Sequence, residues 1–204
     1  MPPRNRAHWP RPSGVFAAFI ASVIVFFSIS SHAADWALPD LMNLLAQQKT
    51  GKASFVEKKY IAFLDKPLES SGELSFEAPD RLEKRTLKPR PESMLLDGDK
   101  LTVSMYEKRP LNLRLQDHPG VAVLVESIRG TLSGDLPALE KNYSVAFSGV
   151  PSKWQLTLTP VNKSVAKIVR EIRIGGGDAN IKVIGFEQAD GDRQEMTISN
   201  IAPP

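Results

Sequence analysis

Between Glu77 and Arg85 the chain crowds six charged side chains together: Glu77, Asp80, Arg81, Glu83, Lys84 and Arg85. Two carboxylates held at a set separation across a cleft can act as acid and base on a glycosidic bond. Glu77 and Glu83, with Asp80 close by, are the pair on offer for that chemistry. The same residues have a simpler account. The acids alternate with Leu74, Phe76 and Leu82, and alternation is what a half-buried antiparallel sheet writes into sequence, with the apolar side inward and the charged side in water. On that reading the acids are a wet strand face. Trp36 and Trp154, the only tryptophans beyond residue 33, would line a sugar cleft poorly.

Other catalytic signals are thinner. His118 is the single histidine beyond residue 33, and no G-x-S-x-G elbow exists for it to serve. Standing before Pro119, it is expected in a loop or lid. Zinc needs clustered histidine, cysteine or carboxylate ligands, and this chain has no cysteine. Gly175-Gly176-Gly177 lacks the lysine and the following helix of a phosphate loop. No catalytic residue, metal or cofactor is expected.

The elements that position these residues follow from periodicity. Leu38, Leu41, Met42 and Leu45 share one helical face, so a helix is expected over Asp35–Gln48, with Pro39 in its first turn and Gly51 beyond its end. The period then becomes two. Strands are expected at Ala53–Phe63, Leu68–Ala78, Leu82–Leu87, Ser93–Leu96, Lys100–Tyr106 and Pro110–Arg114, with Asp97-Gly98 as the clearest hairpin signal. Val121, Leu124, Val125, Ile128 and Leu132 mark a second amphipathic helix over Gly120–Leu132, with Glu126, Ser127 and Arg129 facing away. Strands return at Tyr143–Val150, Lys153–Thr159, Val165–Ile174, Ile181–Glu187 and Gln194–Ile201, with Gly175–Asp178 and Ala189–Asp192 as loops. About eleven antiparallel strands must manage their edges by curling toward closure. The expected class is α+β: a half-open, strongly curved antiparallel barrel with helices over its concave face. By alternation the inward set is Phe55, Leu74, Phe76, Leu82, Met94, Leu96, Val103, Met105, Trp154, Leu156, Ile172 and Met196, joined by Leu124 and Ile128 from the second helix. These are the candidate apolar-cavity residues, and they serve equally as an ordinary filled core.

Residues 1–33 are set apart from this pattern. Arg4, Arg6 and Arg11 precede an apolar run from Gly14 to Ser30, and Ser31-His32-Ala33 offers small residues for cleavage before Ala34. This reads as a secretory signal peptide, the alternative being an uncleaved anchor. Removing its three arginines leaves 23 basic residues against 23 acidic ones in the mature chain, residues 34–204, which is read as one domain. A neutral surface argues against nucleic acid and against general attraction to anionic headgroups. An exported chain without cysteine relies on its core alone, and a periplasm is the expected compartment.

Several stretches then carry a resemblance: Ala53-Ser54-Phe55-Val56-Glu57-Lys58, Ser71-Gly72-Glu73-Leu74, Ala78-Pro79-Asp80-Arg81-Leu82, Pro91 to Gly98, and Trp154-Gln155-Leu156-Thr157-Leu158-Thr159-Pro160. In order and spacing they resemble the periplasmic lipoprotein carriers of the LolA-like family. That resemblance implies a half-open barrel closed by helices and acylated lipoprotein as cargo, with a lipid, glycolipid or acylated intermediate as the alternative for a chain that departs from the family at Ala78 and Lys84. It also implies an inner-membrane donor and an outer-membrane acceptor protein, and neither cofactor nor chemistry. It places the lid over Pro119–Pro137, and a monomer is expected. Two positions depart from the family. Ala78 stands where an arginine commonly latches the lid, and Lys84 stands where an aromatic is common. Three readings follow: an acyl-chain carrier, a sensor or binding module of the same fold recognising lipoprotein or glycan, and an envelope enzyme using Glu77, Asp80 or His118.

Overall fold

A computed structural model of the chain describes residues 36–200. The export signal read from residues 1–33 lies outside the described residues. The elements in chain order are α1 (Leu38–Ala46), β1 (Thr50–Tyr60), β2 (Leu68–Glu77), β3 (Arg81–Lys88), β4 (Glu92–Asp97), β5 (Lys100–Met105), β6 (Leu111–Arg114), α2 (Pro119–Ser133), α3 (Leu136–Glu140), β7 (Tyr143–Val150), β8 (Lys153–Pro160), α4 (Lys163–Ala166), β9 (Val169–Gly177), β10 (Asn180–Gln188) and β11 (Arg193–Asn200). All eleven strands form one antiparallel sheet in the order β6-β5-β4-β3-β2-β1-β11-β10-β9-β8-β7. The chain starts at the centre and works outward to the β6 edge. It then crosses to the opposite edge at β7 and returns until β11 pairs with β1, Phe55 opposite Ile198. The sheet does not close, so β6 and β7 are its free edges.

This topology explains the position of α2. The end of β6 and the start of β7 lie at opposite edges of one curved sheet, so residues 115–142 must bridge them. A bridge across the concave face needs an apolar underside, and α2 carries one. Its C-terminus is fixed by Gly134, which adopts φ 67° and gives its N–H to the carbonyls of Gly130 and Thr131. A Cβ at Gly134 would lie 2.2 Å from the Met42 carbonyl oxygen, so α1 and α2 approach this closely only over glycine. At the other end of the chain, α1 opens with Pro39 in its first turn. There the Asp40 carboxylate accepts the Ala37 N–H at 2.9 Å, satisfying one orphan donor of the helix.

The concave side is filled in one half. Leu41, Met42 and Leu45 of α1, Leu139 of α3 and Val165 of α4 pack on Phe55, Trp154, Leu156, Leu158, Ile172 and Ile174. A second, smaller cluster of Leu96, Leu101 and Leu115 gathers Leu82, Val103, Leu113, Ala122 and Val125 beneath the first turns of α2.

Three expectations need correction. Gly175-Gly176-Gly177 is not a loop but the end of β9, and the turn falls after it, where Asp178 takes φ 51°. A Cβ on Gly176 would come within 2.5 Å of the Trp154 ring and 2.2 Å of the Asn180 carbonyl, so the glycine lets the indole lie flat against the strand. Val165 belongs to the single turn α4, not to a strand, because Asn162 caps that turn by accepting the Ser164 N–H at 2.8 Å. Ser127 does not face water. It is fully buried with Gly130 and Thr131 on a small-residue face of α2, its hydroxyl donated to the Leu124 carbonyl at 2.7 Å.

Candidate functional site

Between the two packed clusters lies a cavity of about 1740 Å³, well above the roughly 300–1,000 Å³ of ordinary small-molecule sites. Its roof is the underside of α2: Val121, Leu124, Val125, Ile128 and Leu132 all face it. These are the residues that the sequence spacing groups on one helical stripe. Its walls come from the concave register of the central strands, where Leu74 stands beside Lys84, Phe76 beside Leu82, Leu82 beside Leu96 and Ile184 beside Met196.

Of the candidate cavity residues, Leu74, Phe76, Leu82, Met94, Leu96, Leu124, Ile128 and Met196 line this space. Phe55, Trp154, Leu156 and Ile172 do not; each is at most 2% exposed within the filled half, covered by helices the sequence places but cannot orient. Val103 packs into the smaller cluster. Met105 stands at the end of β5, beside a separate depression of about 280 Å³ with Leu87 and Tyr106.

Besides its close packing on α1 and α3, the roof is held by two side-chain anchors. Arg129 reaches from α2 to the β4–β5 turn, donating Nη2 to the Gly98 carbonyl at 2.5 Å and Nη1 to Glu126 at 3.1 Å. Its Nε is buried without a partner. The Tyr143 hydroxyl donates to the Val123 carbonyl at 3.2 Å, and burial pushes that phenol above its ordinary value. The arginine that joins α2 to the wall thus belongs to α2 itself.

The wall also holds charge. Glu57, only 9% exposed, accepts Lys84 Nζ at 2.7 Å on both oxygens and the Ser70 hydroxyl at 3.0 Å, and it also accepts the Gln194 amide. The Lys84 ammonium lies 4.9 Å from the centre of the Phe55 ring. Lys84 is therefore on the concave face, while its neighbours Glu83 and Arg85 pair with each other and with Glu73 on the outer one. Glu57 escaped the sequence reading, although its spacing two residues after Phe55 was signal enough.

The residues raised as acids or bases do not converge. Glu77 is exposed at the cavity margin, Asp80 lies in the β2–β3 turn and His118 is exposed at the start of α2. Among the described residues no cluster of three metal-ligating side chains occurs, and no helix is long and apolar enough to cross a membrane.

A family model described as outer membrane lipoprotein carrier protein LolA-like matches residues 28–203. No curated protein matches the sequence. Among solved structures, the chain is similar to a LolA superfamily protein from Nitrosomonas europaea, at 12% identity and a TM-score of 0.44, over 80% of this chain and 93% of that one. It is also similar to a chain of the MucA/MucB complex of Pseudomonas aeruginosa, at 13% identity and a TM-score of 0.43, over 82% and 58%. A third is a chain of the Clostridioides difficile CwlD amidase complex with the GerS lipoprotein, at 11% identity and a TM-score of 0.38, over 81% and 91%.

Proposed function

The chain belongs to the outer membrane lipoprotein carrier protein LolA-like family, and from that premise we propose that it is a periplasmic carrier that shields acyl chains during transfer toward the outer membrane. The observation that carries this reading is the large cavity roofed by the apolar stripe of α2. Val121 and Leu124 turn toward open space where a soluble helix would ordinarily meet a packed core, and Val125, Ile128 and Leu132 line the same space from the margins of the two packed clusters. An acyl chain gains about 0.8 kcal/mol per buried methylene, so a chain of about fifteen would be stranded in water by on the order of 12 kcal/mol. A cavity walled by Leu74, Phe76, Leu82 and Met196 offers that burial.

The tethers of α2 support a lid. Apart from its close packing on α1 and α3 over Gly130 and Gly134, α2 is held by one arginine and one tyrosine, at residues 129 and 123, so the helical layer can shift without unfolding the sheet. Antiparallel pairing puts the β1–β2, β3–β4 and β5–β6 connections at one end of the sheet, where Phe63, Leu64, Leu87 and Tyr106 are exposed. That end would meet the inner-membrane donor and the outer-membrane acceptor. No catalytic step, cofactor or oligomer is part of this account.

The test replaces Leu124 and Ile128 together with glutamate in the exported protein and compares material extracted from it and from the wild type by native mass spectrometry. Acylated material on the wild type and none on a folded variant is the expected result. A wild type that is reproducibly empty, yet folded, would overturn the proposal.

A further inference from the structure

The cavity is not uniformly greasy. Opposite the apolar roof, its wall carries the Glu57–Lys84 pair, with Ser70 and Gln194 around the carboxylate. Apolar isosteres would usually serve a core as well as or better than a buried ion pair, so this pair is unexplained by packing alone. Its hydrogen-bond bookkeeping is lopsided. Glu57 accepts from three side chains and is saturated, whereas the Lys84 ammonium has three protons and a single partner residue. Lys84 remains a quarter exposed to the cavity. Lys59, opposite Gln194 in the register, lines the same wall and forms no ion pair among the described residues. Glu92, opposite Thr86 and nearer the end of the sheet, also lines the cavity, as do Glu77 and Glu83 among the acids and Lys52, Arg81 and Arg90 among the bases.

We infer, building on the carrier reading, that this wall is a headgroup subsite, and that the cargo is an amphiphile whose acyl chain lies under α2 while an anionic group, a phosphate ester or a carboxylate, meets Lys84 and Lys59. Glu57 holds the Lys84 ammonium in place and neutral overall while the cavity is empty. An arriving oxyanion takes the ammonium's unused donors without having to displace the carboxylate, and charge-assisted bonds of this kind are stronger than neutral ones. The neutral mature surface fits this division, since selection by charge occurs inside the cavity and not by a general field.

The experiment uses the mature protein and a neutral reporter, N-phenyl-1-naphthylamine, whose fluorescence follows occupation of the apolar zone. Competitors are 1-palmitoyl lysophosphatidic acid and monopalmitoylglycerol, which share a chain and differ in the phosphate. The phosphate-bearing lipid is expected to displace the dye at a concentration lower by about tenfold. The double variant Glu57→Gln with Lys84→Met, which removes both charges and so leaves neither buried alone, is expected to bring the two lipids within about twofold of each other when each is referred to that variant's own affinity for the dye. Glu57→Gln alone, which frees the ammonium, is expected to widen the preference. Equal displacement by the two lipids in the wild type would overturn the headgroup subsite and leave the carrier reading standing. Failure of the dye and both lipids to bind would overturn both. Inorganic phosphate at millimolar concentration is expected to leave the preference intact; if it erased it, the wall would be a site for a free anion and the proposal would fail.

Discussion

Replacing Arg129 by methionine should loosen the lid without loosening the sheet. The guanidinium makes one short bond to the Gly98 carbonyl and one to Glu126, and its buried Nε has no partner. A charged hydrogen bond of this kind contributes about 1.5–3 kcal/mol, while leaving a buried donor unmet costs about 1 kcal/mol or more. Methionine removes both effects and keeps much of the stem's packing. The net loss is therefore about 0.5–2 kcal/mol, equivalent to a rise of about 2- to 30-fold in the population with α2 detached from the β4–β5 turn. Hydrogen exchange resolved by segment reads this directly. Amides of residues 119–133 should exchange faster by that factor, and amides of β8 and β9, in the filled half, should be unchanged. Loss of protection spread evenly over the sheet would make Arg129 a global stabiliser and refute the lid. So would unchanged exchange in α2.

Gly176→Ala should destabilise the fold by about 1–3 kcal/mol, because the new methyl overlaps the Trp154 ring and the Asn180 carbonyl; urea denaturation followed by tryptophan fluorescence measures it. Tyr143→Phe should cost about 1 kcal/mol through its bond to the Val123 carbonyl. Burial raises the folded phenol above the unfolded one, so the folded state keeps its proton longer. Wild-type stability should fall as pH rises through about 10, the ordinary tyrosine value, and by more than in Tyr143→Phe. Lys84→Met alone strands the Glu57 carboxylate and should cost about 3–5 kcal/mol, with much of that recovered when Glu57→Gln is added; a double-mutant cycle in thermal denaturation checks the recovery.

The fold was legible because strand periodicity and turn chemistry agree along the chain. Leu74 and Phe76 alternate with acids into the Ala78-Pro79-Asp80 turn, and Asp97-Gly98 closes the β4–β5 hairpin with Gly98 at φ 58°. The stripe on α2 was legible for the same reason, since five apolar residues at helical spacing must face something. Which half of the concave face is filled was not legible. Alternation sends Leu74 and Leu156 to the same side of the sheet, and only the seating of α1, α3 and α4 decides that Leu156 is packed while Leu74 meets a cavity. The ion pair was hidden by a sound rule misapplied. Lys84 sits in a charged run whose other members face water, yet its register beside Leu74 and Met94 turns it inward to Glu57. Likewise Ser127, Gly130 and Thr131 look like a polar face and are instead the close-packed one, because small side chains let helices approach.

The central claim is that acylated cargo lies under α2, and photo-crosslinking inside the living cell tests it at residue level. With p-benzoyl-phenylalanine in place of Leu124, on the roof, irradiation should yield adducts that mass spectrometry identifies as carrying acyl chains. The same group in place of Val56, half-exposed on the outer face of β1, should yield none. No acylated adduct at residue 124, from a folded and exported protein, would contradict the account.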